Sequence, residues 1–350
     1  MENHEKYMLR CVGLAKLGAG YVAPNPMVGA LLVHNDRIIG EGYHEQYGEA
    51  HAEVNCINSV KQADQSLIQQ STMYVSLEPC VHFGKTPPCA DLIINHRVPK
   101  VVIGCRDPFV AVNGKGIEKL EAANIAVTVG VLENDCKDLN KRFFCFHLYH
   151  RPYIILKWAE TGDGKISGHS NDRLRITNEF TTRLVHKWRS EEASILVGTN
   201  TALMDDPLLT TRLWAGNNPI RLVIDMDLKL PASLQLFSGE SKTVVFNKIR
   251  HYENEKIYYY QVTDDVSIVQ QISNALYQLK IQSVIVEGGA RLLQSFIDEE
   301  MWDEARVISN DQLIINQGLN APVLSNHQLL EAENIFSDQV RVYGNLMQRE

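Results

Sequence analysis

Short apolar runs alternate along the chain with longer segments in which apolar positions recur at helical spacing. In the first part, apolar-rich runs at 28–33 and 37–43 flank the turn-like His34-Asn35-Asp36, and this pattern predicts a β-hairpin. Alternating segments follow, with helices expected at 51–60, 89–96 and 116–123 and strands at 73–77 and 100–104. The alternation predicts an α/β layered domain.

The second part of the chain alternates in the same way. We expect strands at 153–158, 193–197, 220–224, 243–246 and 283–286, and helices at 178–189 and 290–299. The apolar runs are far shorter than the roughly 20 residues that a membrane-spanning helix requires, so no membrane segment is expected.

The composition changes close to residue 147. All seven cysteines precede residue 146, and all four tryptophans follow it. The segment 147–152 between them is polar and carries a proline, which is typical of a joint between domains. Because 350 residues also favour two domains, the sequence predicts one domain over 1–146 and a second over 147–350.

Overall composition and charge narrow the class of function. Hydrophobic residues at 45% and charged residues at 22% exclude a disordered or fibrous protein. A formal net charge of −8 gives no general attraction to nucleic acids or anionic membranes, which favours a small-molecule substrate. The first residues lack the basic start and apolar stretch of an export signal, so we expect a cytoplasmic protein with reduced cysteines.

Three candidate metal ligands, His51, Cys80 and Cys89, lie in the first domain. One imidazole and two thiolates leave the fourth tetrahedral position of a zinc ion open for water, as in catalytic zinc sites. Zinc lowers the pKa of that water, and the carboxylate of Glu53 is placed to transfer protons to a ring nitrogen and a leaving amine. The pattern predicts a zinc-dependent deaminase of nucleobase-like rings.

The loop between the two cysteines is longer than in the nucleoside and nucleic-acid deaminases. Eight residues separate Cys80 from Cys89, and among them His82 and Lys85 are suited to bind an anionic group beside the metal. Pro88 suits the first turn of a helix, whose positive end would favour the Cys89 thiolate.

A second candidate site lies where the predicted strand 283–286 meets the following helix. Gly288 and Gly289 stand at this helix start, where backbone amides can approach a phosphate, although a tight turn explains the same pair. The second part has no GxGxxG sequence, so a dinucleotide-binding Rossmann domain has no direct support.

The sequence resembles the family of bifunctional pyrimidine deaminase/reductases of riboflavin biosynthesis over nearly its whole length. The resemblance is carried by Asn25-Pro-Met-Val-Gly29, Gly40-Glu-Gly-Tyr-His44, His51-Ala-Glu53 and the segment 78–89 with its long loop. It implies an α/β protein with a cytidine-deaminase-like three-layer domain followed by a dihydrofolate-reductase-like domain. Its first reaction would hydrolyse the 2-amino group of 2,5-diamino-6-(5-phosphoribosylamino)pyrimidin-4(3H)-one. The second would use NADPH to reduce C1′ of the ring-opened 5-amino-6-(5-phosphoribosylamino)uracil to the ribitylamino product.

The resemblance also implies roles for individual residues. In the first domain, it assigns zinc to His51, Cys80 and Cys89, proton transfer to Glu53, and substrate contacts to Asn25, His44, His82 and Lys85. In the second, it places at the NADPH the residues Thr177, Thr201, Asp205, Gly288, Gly289, Ala290 and Arg291, and at the substrate Lys157, Arg189, Leu209, Arg212 and Glu287. The chain differs from the family pattern at three positions. Glu160 and Arg175 are expected at the cofactor, and Arg173 is expected at the substrate.

Two other functions fit parts of the sequence. A nucleic-acid-editing deaminase, such as one acting on tRNA, shares the zinc motif, but the acidic balance, the long loop and the second domain disfavour it. A non-catalytic metabolite-binding protein with structural zinc is disfavoured by Glu53, because a structural site needs no adjacent acid–base group. The sequence is compatible with a homo-oligomer and does not define the oligomeric state.

Overall fold

A computed structural model describes residues 4–83, 87–168 and 174–348. The chain divides into two compact units, Met1–His150 and Arg151–Glu350. Two of the predicted site residues, Lys85 and Arg173, lie outside the described residues. Within the described ranges, no helix is long and apolar enough to cross a membrane.

The first unit is built around one mixed sheet. Its strands and helices are α1 (His4–Ala15), β1 (Gly29–His34), β2 (Arg37–Tyr43), α2 (Ala52–Asn58), β3 (Thr72–Leu77), α3 (Cys89–Asn95), β4 (Lys100–Cys105), α4 (Lys115–Ala122), β5 (Ala126–Val129), α5 (Glu133–Leu139) and α6 (Lys141–Tyr149). The strand order is β2-β1-β3-β4-β5. β1 runs antiparallel to both β2 and β3, whereas β3, β4 and β5 are parallel.

Two apolar layers cover the two faces of this sheet. Successive residues of β4 alternate between them, since Val101 and Ile103 belong to one cluster and Val102 to the other. Helices α2, α3 and α4 contribute to the first cluster, and α1 and α5 to the second. The three-layer fold expected for this unit is therefore confirmed.

The second unit contains a ten-stranded sheet and a separate pair of short strands. Its elements are β6 (Tyr153–Thr161), β7 (Lys165–Ser167), α7 (Glu179–Glu191), β8 (Ser194–Val197), α8 (Thr199–Asp205), β9 (Ile220–Ile224), β10 (Thr243–Asn247), β11 (Tyr252–Glu253), β12 (Ile257–Gln261), α9 (Ile268–Gln278), β13 (Ser283–Glu287), α10 (Ala290–Asp298), β14 (Glu304–Asn310), β15 (Leu319–Asn320), β16 (His327–Ile335) and β17 (Asp338–Asn345). The main strand order is β11-β12-β10-β9-β8-β13-β6-β14-β17-β16, and β15 pairs with β7.

Seven neighbouring strands of this sheet are parallel, in the order β12, β10, β9, β8, β13, β6 and β14. Their carboxyl ends therefore meet at one edge of the sheet. Strand β13 is buried along its apolar part and ends in Glu287, which is aligned with Lys157 of β6. Ligands of open parallel sheets bind at this edge. The sheet thus places most of the predicted reductase residues on loops and helix ends at its carboxyl edge.

The structure confirms the predicted hairpin and the predicted alternation in both parts, with ends that differ by a few residues. Periodicity did not indicate α1, β5, α5 and α6 in the first unit or α8 and α9 in the second. It also missed strands β14, β16 and β17, which complete one side of the sheet in the second unit.

Candidate active sites

The three predicted metal ligands converge although they come from separate elements. His51 directly precedes α2, Cys80 lies beyond the end of β3, and Cys89 is the first residue of α3. Nδ1 of His51 lies 3.6 Å from Sγ of Cys80 and 3.4 Å from Sγ of Cys89, and the three donor atoms are within 4.8 Å of one another. One nitrogen and two sulfur donors at this spacing fit a zinc ion.

The electrostatics of the two thiols differ from the sequence-based expectation. The backbone N–H of Cys89, at the start of α3, donates to Sγ of Cys80 at 3.4 Å. Hydrogen bonds from the Cys89 thiol and from His51 lower the pKa of Cys80 to about 4. The contact with Cys80, followed by burial, raises the pKa of Cys89. The N–H at the start of α3 therefore helps to stabilise a thiolate at Cys80.

Glu53 lies in the first turn of α2 and is 3% exposed. Its carboxylate contacts Cys89, and burial, followed by the charge of Cys80, raises its pKa. A buried carboxyl group with a raised pKa beside a metal site can both accept and return a proton near neutral pH. The site thus brings a buried carboxyl group next to three candidate metal ligands.

Asn25 and His44 lie beside the metal ligands and contact each other. Nδ2 of Asn25 is 3.1 Å from Nε2 of His44, and Nδ1 of His44 is 3.0 Å from the carbonyl oxygen of Ala50. Burial lowers the pKa of His44, so the neutral ring donates to Ala50 and accepts from Asn25. The His44 ring meets the edge of the His51 ring at 5.3 Å. Both nitrogens of His44 are used within the protein, which suits it to orient Asn25.

The loop after Cys80 is only partly described. His82 is exposed, and its ring contacts the ring of Phe109 at 5.8 Å. Phe109 belongs to a segment that follows β4, and its ring also lies 5.0 Å from the ring of His147 on α6. Lys85 falls outside the described residues.

Sequence reasoning missed the role of Glu78. This residue is 3% exposed, and its carboxylate accepts backbone N–H bonds from Gly114 at 2.9 Å and from Gly116 at 2.8 Å. Longer bonds come from the amides of Asp107 and Ile117. A Cβ at Gly116 would lie 2.3 Å from the carbonyl oxygen of Pro79, so only glycine permits this approach. Glu78 therefore anchors the segment 106–116 next to Cys80. In the sequence, its position directly before Pro79-Cys80 was the one feature that could have indicated this role.

Asp107 is a second buried carboxyl group on that segment. It is 7% exposed, and its Oδ1 accepts the N–H of Phe109 at 2.8 Å. Burial raises the pKa of Asp107 to about 7, and the charges of Glu78 and Cys80 add to the effect. No motif in the sequence pointed to it.

In the second unit, Glu287 is the centre of a buried ion pair. Arg189 Nε lies 3.1 Å from one of its carboxylate oxygens and Arg189 Nη2 lies 2.7 Å from the other, and Lys157 Nζ is 3.9 Å away. Burial by itself would raise the pKa of Glu287, but Arg189 and Lys157 outweigh it and lower the pKa to about 2. The carboxylate is therefore ionised at neutral pH.

A cavity of about 180 Å³ brings several predicted residues together. Arg189, Leu209 and Arg212, predicted at the substrate, line it with Asp205, which was predicted at the cofactor. Arg212 also lines a more open cavity of about 450 Å³ with Arg183 and Trp214. Three of the residues predicted at the substrate and one predicted at the cofactor thus line the same cavity.

His186 is a further residue of this region that the sequence did not indicate. It is 2% exposed on α7 and hydrogen-bonds to the backbone of Thr210, whose carbonyl also accepts from Arg189 Nη1 at 3.4 Å. Burial, followed by the charges of Arg189 and Arg212, lowers the pKa of His186 to about 4. A neutral histidine thus helps to fix the backbone between Leu209 and Arg212.

The half-buried glycine pair directly precedes α10. The N–H of Gly289 donates to Oγ1 of Thr201 at 3.0 Å, and no side chain caps the start of α10. A Cβ at Gly288 would lie 3.4 Å from Leu292, so the backbone is unobstructed. This helix start fits a phosphate of a dinucleotide. Ala290 and Arg291 form the first turn, and Arg291 is exposed.

The remaining predicted residues lie at the ends of β6 and α7. Oγ1 of Thr177 is 3.3 Å from Oγ1 of Thr182. The carboxylate of Glu160 accepts the indole N–H of Trp158 at 2.8 Å, and Arg175 is exposed. Arg173 lies outside the described residues.

Two protein-family models match the chain. Residues 1–105 match the cytidine and deoxycytidylate deaminase zinc-binding region. Residues 152–314 match the RibD C-terminal domain.

Individual proteins match over almost the whole length. The riboflavin biosynthesis protein RibD of Aquifex aeolicus is 37% identical, with 98% of this chain and 96% of that protein covered. RibD of Bacillus amyloliquefaciens is 38% identical over 86% of this chain and 82% of that protein. A Thermotoga maritima diaminohydroxyphosphoribosylaminopyrimidine deaminase/5-amino-6-(5-phosphoribosylamino)uracil reductase matches with a TM-score of 0.87 at 36% identity, covering 98% of each chain. Acinetobacter baumannii RibD matches with a TM-score of 0.88 at 29% identity, covering 97% of this chain and 98% of that one.

Proposed function

The chain belongs to the RibD family of riboflavin biosynthesis proteins, and from this premise we propose how its residues carry out the two reactions of a bifunctional deaminase and reductase. Zinc and NADPH are the cofactors. We assign the deaminase to residues 1–146 and the reductase to 147–350. The division of the structure into compact units at 150/151 supports this assignment.

In this proposal, the first unit deaminates 2,5-diamino-6-(5-phosphoribosylamino)pyrimidin-4(3H)-one. The observation that carries it is the convergence of His51, Cys80 and Cys89 within 4.8 Å, with the buried carboxylate of Glu53 in contact with Cys89. A zinc ion held by these ligands acts as a Lewis acid that makes water more acidic. We assign His82, which is exposed shortly after Cys80, to the phosphoribosyl group of the substrate.

Glu53 moves the protons of the deamination. Its carboxylate takes a proton from the attacking water and delivers it to the ring nitrogen; a second transfer to the exocyclic nitrogen lets ammonia leave and a carbonyl form. Because its pKa is raised, Glu53 accepts and releases protons closer to neutral pH than an exposed glutamate does. Asn25, oriented by His44, is placed to hydrogen-bond the pyrimidine.

The second unit reduces the deaminated product, 5-amino-6-(5-phosphoribosylamino)uracil. NADPH supplies the reducing equivalent for C1′ of the ring-opened ribosyl group. We assign its phosphates to the hydroxyl of Thr201, which accepts the N–H of Gly289, and to the backbone of Gly288 at the start of α10. Asp205 and Thr177 complete the proposed cofactor contacts.

The buried ion pair implies different roles for the two arginines near the proposed substrate site. Arg189 is already engaged with both oxygens of Glu287, so we assign it to hold that carboxylate in place. Arg212 lines both cavities and is assigned to the substrate phosphate. Glu287 and Lys157 then face the pyrimidine and the ribityl chain.

Phosphoribosylamino-pyrimidines are the proposed small-molecule partners. Location in the cytoplasm and the lack of nucleic-acid binding stay predictions from the sequence.

Two variants of the full chain test the assignment. With the diamino substrate, Glu53→Gln should retain zinc but lose ammonia release, whereas NADPH oxidation with the deaminated substrate should stay at the wild-type rate. Glu287→Gln should show the reverse pattern. Wild-type ammonia release by Glu53→Gln would refute the proposed role of that residue.

A further inference from the structure

The backbone segment Ile176–Asn178, which carries Thr177, is held from two sides. On one side, Asn310 at the end of β14 donates its side-chain amide to the carbonyl of Ile176 at 3.0 Å. On the other side stands the turn of the hairpin formed by β16 and β17. Because Asn310 is aligned with Thr161 at the end of β6, the segment lies at the carboxyl edge of the parallel strands.

The hairpin turn binds the first turn of α7 through Asp338. Asp338 is 2% exposed, and its Oδ2 accepts the backbone N–H of Asn178 at 2.8 Å and the hydroxyl of Thr181. In return, Nδ2 of Asn178 donates to the carbonyl of Ile335 at 2.8 Å. The hydroxyl of Ser337 donates to Oδ1 of Asp338 at 2.8 Å, so this buried carboxylate is bonded to three neutral donors at a helix start, where negative charge is favourable.

Asn178 links this contact to the helix itself. Its Oδ1 caps α7 by accepting the N–H groups of Phe180 at 2.9 Å and Thr181 at 3.0 Å. The rings of Phe180 and Phe336 stack at 4.5 Å across the same contact. Phe336 has a φ of 55°, a left-handed conformation unusual for a bulky residue, and 78% of it is exposed. The turn is therefore shaped to meet α7 rather than to fill a core.

We propose that Asp338 is a positioning residue for NADPH: by fixing the start of α7, the C-terminal hairpin sets the place of Thr177 and hence the affinity for the cofactor. The inference rests on the proposed function, which assigns Thr177 to NADPH. The substrate end of α7 is held independently, because Arg189 is bonded to Glu287. Loss of Asp338 should therefore weaken cofactor binding more than substrate binding.

The test compares full-length wild type with Asp338→Asn. NADPH affinity is measured directly by quenching of protein fluorescence, and KM is measured separately for NADPH and for the deaminated pyrimidine. We expect the Kd and KM for NADPH to rise about tenfold, as for loss of a hydrogen bond to a charged group. The KM for the pyrimidine and the rate of ammonia release should stay within about twofold. Gln339→Ala, next to Asp338 on β17, is the control and should bind NADPH like wild type.

Two variants of Thr181 test the same contact without changing Asp338, in case Asp338→Asn does not fold. Thr181→Val removes the hydroxyl donor and should weaken NADPH binding. Thr181→Ser keeps the donor and should bind NADPH with wild-type affinity. Wild-type NADPH affinity in Asp338→Asn or Thr181→Val would overturn the proposal, and so would an equal loss of affinity for both ligands. Failure of wild type itself to bind NADPH would instead refute the proposed reductase function.

Discussion

Arg189 and Glu287 form a two-point ion pair at the carboxyl edge of the reductase sheet, with N–O distances of 3.1 and 2.7 Å. The two residues are far apart in sequence, and their side chains are only 12% and 13% exposed. The pair keeps Glu287 ionised against the effect of burial. It therefore sets the charge of the reductase site.

Breaking this pair should disable the reductase. In Arg189→Gln, the effect of burial is opposed mainly by Lys157, so the pKa of Glu287 should rise. We expect kcat/KM for NADPH oxidation to fall about a hundredfold, because a buried charge loses its partner. The kcat/KM of Arg189→Lys should lie between those of wild type and Arg189→Gln, because an ammonium group cannot make both contacts with Glu287. Ammonia release is the internal control, and an unchanged reductase in Arg189→Gln would contradict this role.

His186 should make the reductase unit sensitive to mild acid. Its pKa in the folded protein is about 4, against an ordinary value of 6.5. Between these values, the unfolded chain binds a proton that the folded chain does not, so the free energy of unfolding falls as the pH drops from 6.5 toward 4. In His186→Gln, which keeps a donor for Thr210, urea unfolding at pH 7 and pH 5 should differ less than in wild type. His327→Gln, on the exposed strand β16, should keep the wild-type difference.

Removal of one thiol ligand should separate the two activities. Cys80→Ser should lose most of the zinc, about one ion per chain in wild type, as measured by elemental analysis. Ammonia release should disappear, and NADPH oxidation with the deaminated substrate should persist. Cys56→Ala, in the core outside the ligand set, should keep its zinc. Full zinc content in Cys80→Ser would rule out the proposed ligand set.

Glu78 should control the segment beside the zinc site. Glu78→Gln places an amide donor against backbone N–H groups, so we expect a loss of about 1–3 kcal/mol in the free energy of unfolding. The zinc content should stay at the wild-type level while kcat/KM for deamination falls about tenfold. Glu118→Gln, exposed on α4, is the matched control. Wild-type deamination in Glu78→Gln would mean that the anchor does not shape the site.

The fold and the convergence of the candidate metal ligands could be predicted because they depend on local patterns. Alternating apolar runs located the hairpin and the central strands, and the cluster of His51, Cys80 and Cys89 follows from residue type and spacing. The bonds of Glu78 and Asp338 could not be predicted in this way, because their partners are backbone amides and, for Asp338, also hydroxyl groups that no sequence motif marks. Strand β16 was missed because all but one of its residues are exposed, which leaves no clear alternation to read.

The central claim is that one chain carries out both reactions in order. The most direct measurement supplies purified wild-type protein with zinc, NADPH and the diamino phosphoribosyl pyrimidine, and follows ammonia release and NADPH loss separately. The account predicts both signals, with ammonia release preceding NADPH loss and equal final amounts. Ammonia without NADPH loss would contradict the reductase assignment, and no ammonia from zinc-loaded protein would contradict the deaminase assignment.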